Sequence, residues 1–334
     1  MSKPRKLHSF ADNAEETARR EQAIQEDVDC ADKAAANGPS KKAEAMQAGA
    51  RPYPTSFPKQ HLKKPGREAE LAVQPMYEAP HYRGSAKLFD MVALITGGDS
   101  GIGRAIAVLY AREGADVAIT YLNEHQDAED TKRAVEAEGR RSIFMAGDVA
   151  DLTFCEAAVE QTIEEFGKLD ILVNNAAFQE HVSRFEELTE EHFDRTVKTN
   201  LYGYFHMAKA AVPHMKPGSS IVMTGSVTGI EGNKYLLDYA TTKGGIHAFT
   251  RSLSAHLVDR GIRVNAIAPG PVWTPLNPAD KQSAQVAKFG SDTAMKRAAQ
   301  PEEIAPAFVF MAAPSCSSYI TGEILPIVGG YAGG

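Results

Sequence analysis

The stretch Met91-Val-Ala-Leu-Ile-Thr-Gly-Gly-Asp-Ser-Gly-Ile-Gly103 runs directly into Arg104-Ala-Ile-Ala-Val-Leu-Tyr-Ala-Arg-Glu-Gly114. Its first half is a short apolar run with β-branched members, as a buried strand requires. Gly97, Gly101 and Gly103 then turn the chain tightly into an amphipathic helix. Glycines permit positive φ and remove the Cβ that would keep a ligand away, while the first amides of the new helix point at an anion. A nucleotide pyrophosphate is the expected guest. Glycine triplets also occur in ordinary loops, and it is the flanking strand and helix that give this one meaning.

Working outward, the pattern from Gly84 onward alternates apolar strands with amphipathic helices. Strands are predicted at Met91–Thr96, Asp116–Tyr121, Arg141–Ala146, Ile171–Asn174, Ser220–Thr224, Arg263–Ile267 and Ile324–Ile327. Helices are predicted at Asp127–Glu138, Asp151–Phe166, Glu190–Val212 and Tyr239–Arg260. Such alternation implies parallel strands with helices on both faces, and right-handed crossovers make the result a doubly wound α/β sheet of the Rossmann type. Ligands of such sheets sit at the carboxyl ends of the strands.

Ahead of this domain, at 84–334, two segments differ in composition. Residues 1–50 are rich in Ala, Glu, Asp, Lys and Gln and poor in large apolar side chains, so a disordered or partly helical tail is expected. Residues 51–83 interleave Pro52, Pro54, Pro58, Pro65, Pro75 and Pro80 with Tyr53, Phe57, Leu62, Met76, Tyr77 and Tyr82. Prolines keep such a segment out of helix and sheet interiors, and the aromatics give it something to dock with, which favours an extended docking arm over a solvated linker.

Bulk properties narrow the function. At 334 residues with a formal charge of −7, the chain presents no global basic field, so neither nucleic acid nor an anionic membrane is an expected partner. The three cysteines, Cys30, Cys155 and Cys316, are far apart and have no Cys-x-x-Cys spacing, which fits a reducing cytoplasm. No export signal or membrane-length apolar run stands in the sequence. None of the ten histidines falls in a metal-ligand motif, and no metal is expected.

Chemistry is suggested by Tyr239-Ala-Thr-Thr-Lys243, since a separation of four puts phenol and ammonium on one helical face. A neighbouring cation lowers a tyrosine pKa and makes the pair usable as acid and base. Alone, such a pair is common on solvated helices. Ser226, however, follows the apolar strand Ile221-Val222-Met223-Thr224 and so stands where ligands bind, able to donate to a carbonyl oxygen. Asn200 means little in isolation.

Taken together, residues 84–330 resemble a short-chain dehydrogenase/reductase, with the motifs in that family's order. Thr96 to Gly103 resembles its Thr-Gly-x-x-x-Gly-x-Gly cofactor loop, comprising Gly97, Asp99, Ser100, Gly101, Ile102 and Gly103. Asp148-Val149 resembles the adenine contact, and Asn174-Asn175-Ala176-Ala177 the Asn-Asn-Ala-Gly segment beside the cofactor, with Ala177 replacing the usual glycine. Asn200, Ser226, Tyr239 and Lys243 match the catalytic tetrad. Pro269, Gly270, Val272 and Thr274 belong to its Pro-Gly-x-x-x-Thr stretch.

The resemblance implies hydride exchange between a nicotinamide cofactor and a small carbonyl or alcohol. Tyr239 would be the acid and base, and Lys243 would lower its pKa and hold the nicotinamide ribose. Ser226 would polarise the substrate oxygen, and Asn200 would seat a water. At the end of the second strand, Tyr121 stands where NAD-dependent relatives usually carry Asp, which leans slightly to NADP, although no Arg replaces it and Asn123 or Glu124 could bind a free ribose.

Phe178, Gln179, His181, Val227 to Ile230 and the loop 271–296 are candidate substrate contacts. The loop is expected to act as a lid, with Trp273 either facing substrate or packing it down. The segments Phe57–Leu62 and Tyr82–Ser85 resemble the bacterial subgroup with an extended N-terminus, known as general stress proteins or glucose and ribitol dehydrogenase homologues. That points to aldehyde, sugar or polyol chemistry, and the family resemblance to a homotetramer in which the arm clasps a neighbour. Two other readings stand beside it: a 3-oxoacyl-thioester reductase, and a non-catalytic cofactor-sensing protein, which would normally have lost part of the tetrad.

Overall fold

In a computed structural model, the chain is described for residues 44–281 and 283–330. Most of the polar tail expected at 1–50, together with Cys30 and Gln282, lies outside the described residues. Seven parallel strands form one sheet in the order β3-β2-β1-β4-β5-β6-β7. They are β1 (Val92–Thr96), β2 (Asp116–Tyr121), β3 (Ser142–Ala146), β4 (Ile171–Asn174), β5 (Ser220–Thr224), β6 (Arg263–Pro269) and β7 (Ile324–Ile327). All lie within two residues of the sequence expectation, because each is an apolar run closed by turn residues. The inner strands β1, β4, β5 and β6 read as near-continuous burial, as a sheet covered on both faces requires.

The covering helices are α1 (Gly101–Arg112), α2 (His125–Ala137), α3 (Leu152–Phe166), α4 (Glu190–Val197), α5 (Gly203–Ala211), α6 (Leu237–Leu257) and α7 (Pro301–Ala312), with shorter turns between them. One core layer joins Ile95, Ile106, Leu109, Val117 and Phe308 on one face of the sheet. The other joins Leu94, Val159, Tyr204, Met207, Ile246 and Val264. Strand order reverses between β1 and β4, which opens a crevice at their carboxyl ends.

The helix expected over Glu190–Val212 is not continuous. Lys198–Tyr202 forms a π-helical turn between α4 and α5. An inserted residue of this kind rotates the following side chains, and such turns are common at functional sites. Here it turns Asn200 into the interior, where it is fully buried.

The Pro-aromatic arm lies on its own chain. The Phe57 ring stacks on Trp273 at 3.7 Å, and the Trp273 indole donates to Val73 O at 2.8 Å. Leu62, Leu71, Ala279 and Val286 complete this small separate core. Phe57 thus packs against its own chain, in the small core around Trp273. The arm's far end is anchored by Glu113, the residue after α1, whose buried carboxylate accepts from the Tyr82 hydroxyl, from Ser85 N and Lys87 N at 2.9 Å each, and from Lys87 Nζ at 3.0 Å.

Candidate active site

The glycine loop after β1 is shaped by what sits beneath it. Gly97 and Gly101 take φ of +59° and +52°, and a Cβ at Gly103 would stand 1.9 Å from Gly97 O. No side chain fits there, so the turn into α1 closes as tightly as an approaching phosphate needs. Thr96 and Asn175 brace it: Thr96 Oγ1 accepts from Asn175 N (2.8 Å) and Ala176 N (3.0 Å), and Asn175 Nδ2 donates to Thr96 O and Gly97 O. Thr224 Oγ1 donates to Asn175 Oδ1 at 3.1 Å, which ties in β5. The ends of β1, β4 and β5 are thus one hydrogen-bonded unit.

A cleft runs across these ends. Gly97, Asp99, Ser100, Gly101, Ile102, Tyr121, Asp148, Val149, Asn175, Ala176, Tyr239, Lys243 and Thr274 line it, so most residues singled out in the sequence for the cofactor meet there. Ser226, Tyr239, Pro269, Gly270, Val272 and Thr274 line an adjoining cavity with Gln179, Asn233, Asn277, Lys281 and Phe289. Gly103 lies under the loop instead, and Asn200 stands behind the wall. The Asp148 carboxylate is already committed to Ala150 N and Arg195 Nη1, both at 2.9 Å.

The cleft suits a dinucleotide on two observations. Ile102 N and Gly103 N, at the start of α1, donate to no acceptor among the described residues. At the other end Glu124 is buried and its Oε1 has no partner, leaving an acceptor for a hydroxyl.

On α6, Lys243 Nζ donates to Thr224 O at 2.7 Å, approaches Tyr204 OH at 3.4 Å, and lies 5.4 Å from the centre of the Tyr239 ring. Burial pulls its pKa down to about 7. In the protein alone, burial pushes the Tyr239 phenol up, Ser226 pulls it back, and the buried Asp280 charge adds to the rise. Desolvation disfavours the charged form of each group, because both are buried. Asn200 bonds Phe178 N (2.8 Å), Phe178 O (2.9 Å) and Thr242 Oγ1 (3.0 Å), joining the π-turn to α6 and the loop after β4.

Some site residues were not legible in the sequence. His247, a turn beyond Lys243, accepts from Ser226 N at 3.4 Å and so ties the serine to the helix that carries the tyrosine. Burial lowers its pKa to about 4, which keeps it neutral and able to accept. Asp280 accepts from Gln179 Nε2 (2.6 Å), His181 N (2.7 Å) and His181 Nδ1 (2.8 Å). Glu180, His181 and Asp280 offer ligand atoms within 4.8 Å of one another, but the Lys64 ammonium sits 2.9 Å from Glu180 and supplies the counter-charge. Trp273 is fully buried under the arm, which assigns it to packing rather than to substrate.

Comparison with known proteins agrees with this architecture. A family model described as enoyl-(acyl carrier protein) reductase matches residues 97–332. General stress protein 39 of Bacillus subtilis is 50% identical over 279 residues, covering 83% of this chain and 97% of that protein. The glucose and ribitol dehydrogenase of Daucus carota is 45% identical over 280 residues, covering 82% and 96%. Both alignments are longer than the stretch from Gly97 to the C-terminus, so they reach into the arm. A short-chain dehydrogenase from Burkholderia cenocepacia, solved with NADP, superposes with a TM-score of 0.69 at 36% identity and covers 73% of this chain and 98% of its own.

Proposed function

Because the chain belongs to the short-chain dehydrogenase/reductase family and is an NAD(P)-dependent oxidoreductase acting on carbonyl and CH–OH groups, we propose that Tyr239, Lys243, Ser226 and Asn200 carry its catalysis and that its substrate is a small hydroxylated aldehyde, sugar or polyol. The observation that carries the assignment is the convergence of Ser226, Tyr239 and Thr274 on one cavity that opens beside the glycine loop.

The residues that would hold the cofactor run along the cleft. Ile102 and Gly103 amides would receive the pyrophosphate, Asp148, Val149 and Tyr121 would flank the adenosine, and Ala176, Lys243, Val272 and Thr274 would bracket the nicotinamide half. When bound, the nicotinamide supplies or accepts the hydride. The protein's own part is the proton. Tyr239 donates it to the substrate oxygen in reduction and takes it in oxidation. Ser226, steadied by His247, donates a hydrogen bond to the same oxygen and fixes the carbonyl face. Lys243, held by Thr224 O, carries the positive charge that makes the phenolate accessible, and burial makes that charge easy to lose above about pH 7. Asn200 locks the π-turn against α6 and so keeps the tyrosine helix in register.

Substrate polarity follows from the cavity wall, where Gln179, Thr228, Asn233, Asn277 and Lys281 stand among Leu236, Val272 and Phe289. Several hydroxyl groups would find partners there, whereas a long acyl chain would desolvate those polar groups without return. For the cofactor, the electrostatics weigh against the sequence's slight lean to NADP. Asp99 and Glu124 are both buried at the ribose end, the Arg104 guanidinium is spent on Glu68 Oε1, Asp99 O and Asp127 O, and Arg195, which lines the cleft, is paired with Asp148. A 2′-phosphate would meet carboxylates there, which favours NAD(H). We also propose a homotetramer in the cytoplasm: Phe193, Tyr202 and Phe205 on α4, the π-turn and α5 are 39%, 52% and 46% exposed, an apolar face suited to a second subunit.

Absorbance at 340 nm tests the reading. NADH and NADPH are paired with short hydroxyaldehydes and 3-oxoacyl thioesters, and polyols and sugars are run in reverse. Turnover confined to the hydroxylated set supports it. Turnover confined to thioesters would replace the substrate, and none with any pair despite tight cofactor binding would return the chain to a sensing role.

A further inference from the structure

The arm does more than cover the sheet, because one of its charges is buried in the cofactor loop. Glu68 lies in the short 3-10 turn Glu68–Glu70 and is 1% exposed. Its Oε2 accepts from Gly101 N at 2.7 Å, and its Oε1 accepts from Arg104 Nη1 at 2.6 Å. Glu68 N donates to Asp127 Oδ2 at 2.8 Å, which adds α2 to the junction. Arg104 in turn donates to Asp99 O through Nε (3.0 Å) and Nη2 (2.7 Å), so the guanidinium braces the glycine loop from below while Glu68 holds the guanidinium. A charged pair this deep holds its geometry only when both partners are present.

The same segment touches the other two loops that border the cleft. Leu62 N donates to Pro278 O (3.0 Å), and Lys64 Nζ donates to Gln179 O (2.6 Å) in the loop after β4. Pro65 and Gly66 form part of the cleft wall. Gly66 adopts φ +104°, and a Cβ there would stand 2.9 Å from Pro275 O, so the arm's backbone lies against the segment after β6 as closely as chains can. The arm thus crosses the mouth of the groove and joins the loops after β1, β4 and β6.

Resting on the reading of the cleft as a dinucleotide site, we propose that residues 57–73 are an intramolecular strap of that site and that Glu68 is a positioning residue for the cofactor loop. Glu68 takes up the Gly101 amide, leaving Ile102 N and Gly103 N for the pyrophosphate, and through Arg104 it fixes the loop before cofactor arrives. Loops already held in the binding conformation lose less freedom on association, and the gain appears as slower release.

The full chain and its Glu68→Gln variant are compared for NADH and NADPH dissociation by stopped-flow fluorescence, with KM for the cofactor and kcat at saturating cofactor. The substituted amide can still accept from Gly101 N but cannot form the ion pair with Arg104. Dissociation and cofactor KM are expected to rise about tenfold, the loss of one charge-assisted contact, with kcat within about twofold. Phe57→Ala, which loosens the strap at the Trp273 stack far from the loop, is expected to move the same two quantities and carries the test if Glu68→Gln does not fold. A fall in melting temperature with unchanged dissociation in both variants would reduce the arm to fold support and overturn the proposal. Failure of the unmutated chain to bind either cofactor would instead overturn the reading of the cleft, and the strap with it.

Discussion

Replacing Glu113 with Gln should destabilise the protein at neutral pH and leave it less sensitive to acid. The carboxylate is wholly buried, which by itself would raise its pKa. Hydrogen bonds from Tyr82, Ser85 N, Lys87 N and Lys87 Nζ outweigh that and hold it down to about 2 from an ordinary 4.5. Since its folded pKa is depressed, the unfolded chain binds a proton first as pH falls. The contribution is therefore full above about pH 5 and is lost progressively towards about pH 2. A displacement of this size corresponds to roughly 3 kcal/mol. In a domain of this length that is a melting-temperature loss of about 5–6 °C. Glutamine keeps the shape but offers only one acceptor oxygen and turns an NH2 group towards donors. Calorimetric scans at pH 7 and pH 3 are the assay: the gap between wild type and Glu113→Gln should be wide at pH 7 and narrow at pH 3. Equal stability at pH 7, or a gap that does not change with pH, would refute the reasoning.

Two further outcomes are expected. Trp273→Ala removes a fully buried ring sandwiched between Phe57 and Phe289 and leaves Val73 O without its donor, so it should cost about 3–5 kcal/mol by denaturant titration. Glu124→Gln removes a buried carboxylate from the ribose end of the cleft and should raise the NADPH-to-NADH ratio of kcat/KM about tenfold, whereas an unchanged ratio would remove Glu124 from cofactor selection.

The sheet was legible because each strand is a short apolar run and each crossover a helical one, signals that are local in sequence. The tetrad was placed by the family resemblance, because neither the spacing of Tyr239 and Lys243 nor Asn200 alone distinguishes it from a solvated helix face; Ser226 after β5 was the one member with a positional argument of its own. What the sequence could not show depends on contacts between distant residues. Glu68 sits in Arg67-Glu-Ala-Glu-Leu71, a stretch of the arm with no motif to single it out; only the fold reveals that its carboxylate lies against Gly101 and Arg104. The π-turn at Lys198–Tyr202 was missed because an apolar period of 3.6 does not register one inserted residue. Spacing placed Lys243 beside Tyr239 but could not show how deeply both are buried, which raises the phenol and lowers the ammonium. Likewise the missing Asp at Tyr121 was visible, whereas the commitment of Arg104 elsewhere was not.

The central claim, that Tyr239 exchanges the proton in a nicotinamide-dependent reaction, is tested most directly by its Phe variant. Removing the hydroxyl should lower kcat about a thousandfold in both directions while calorimetry finds cofactor affinity within about twofold of the parent. Turnover in Tyr239→Phe equal to that of the parent would contradict the account.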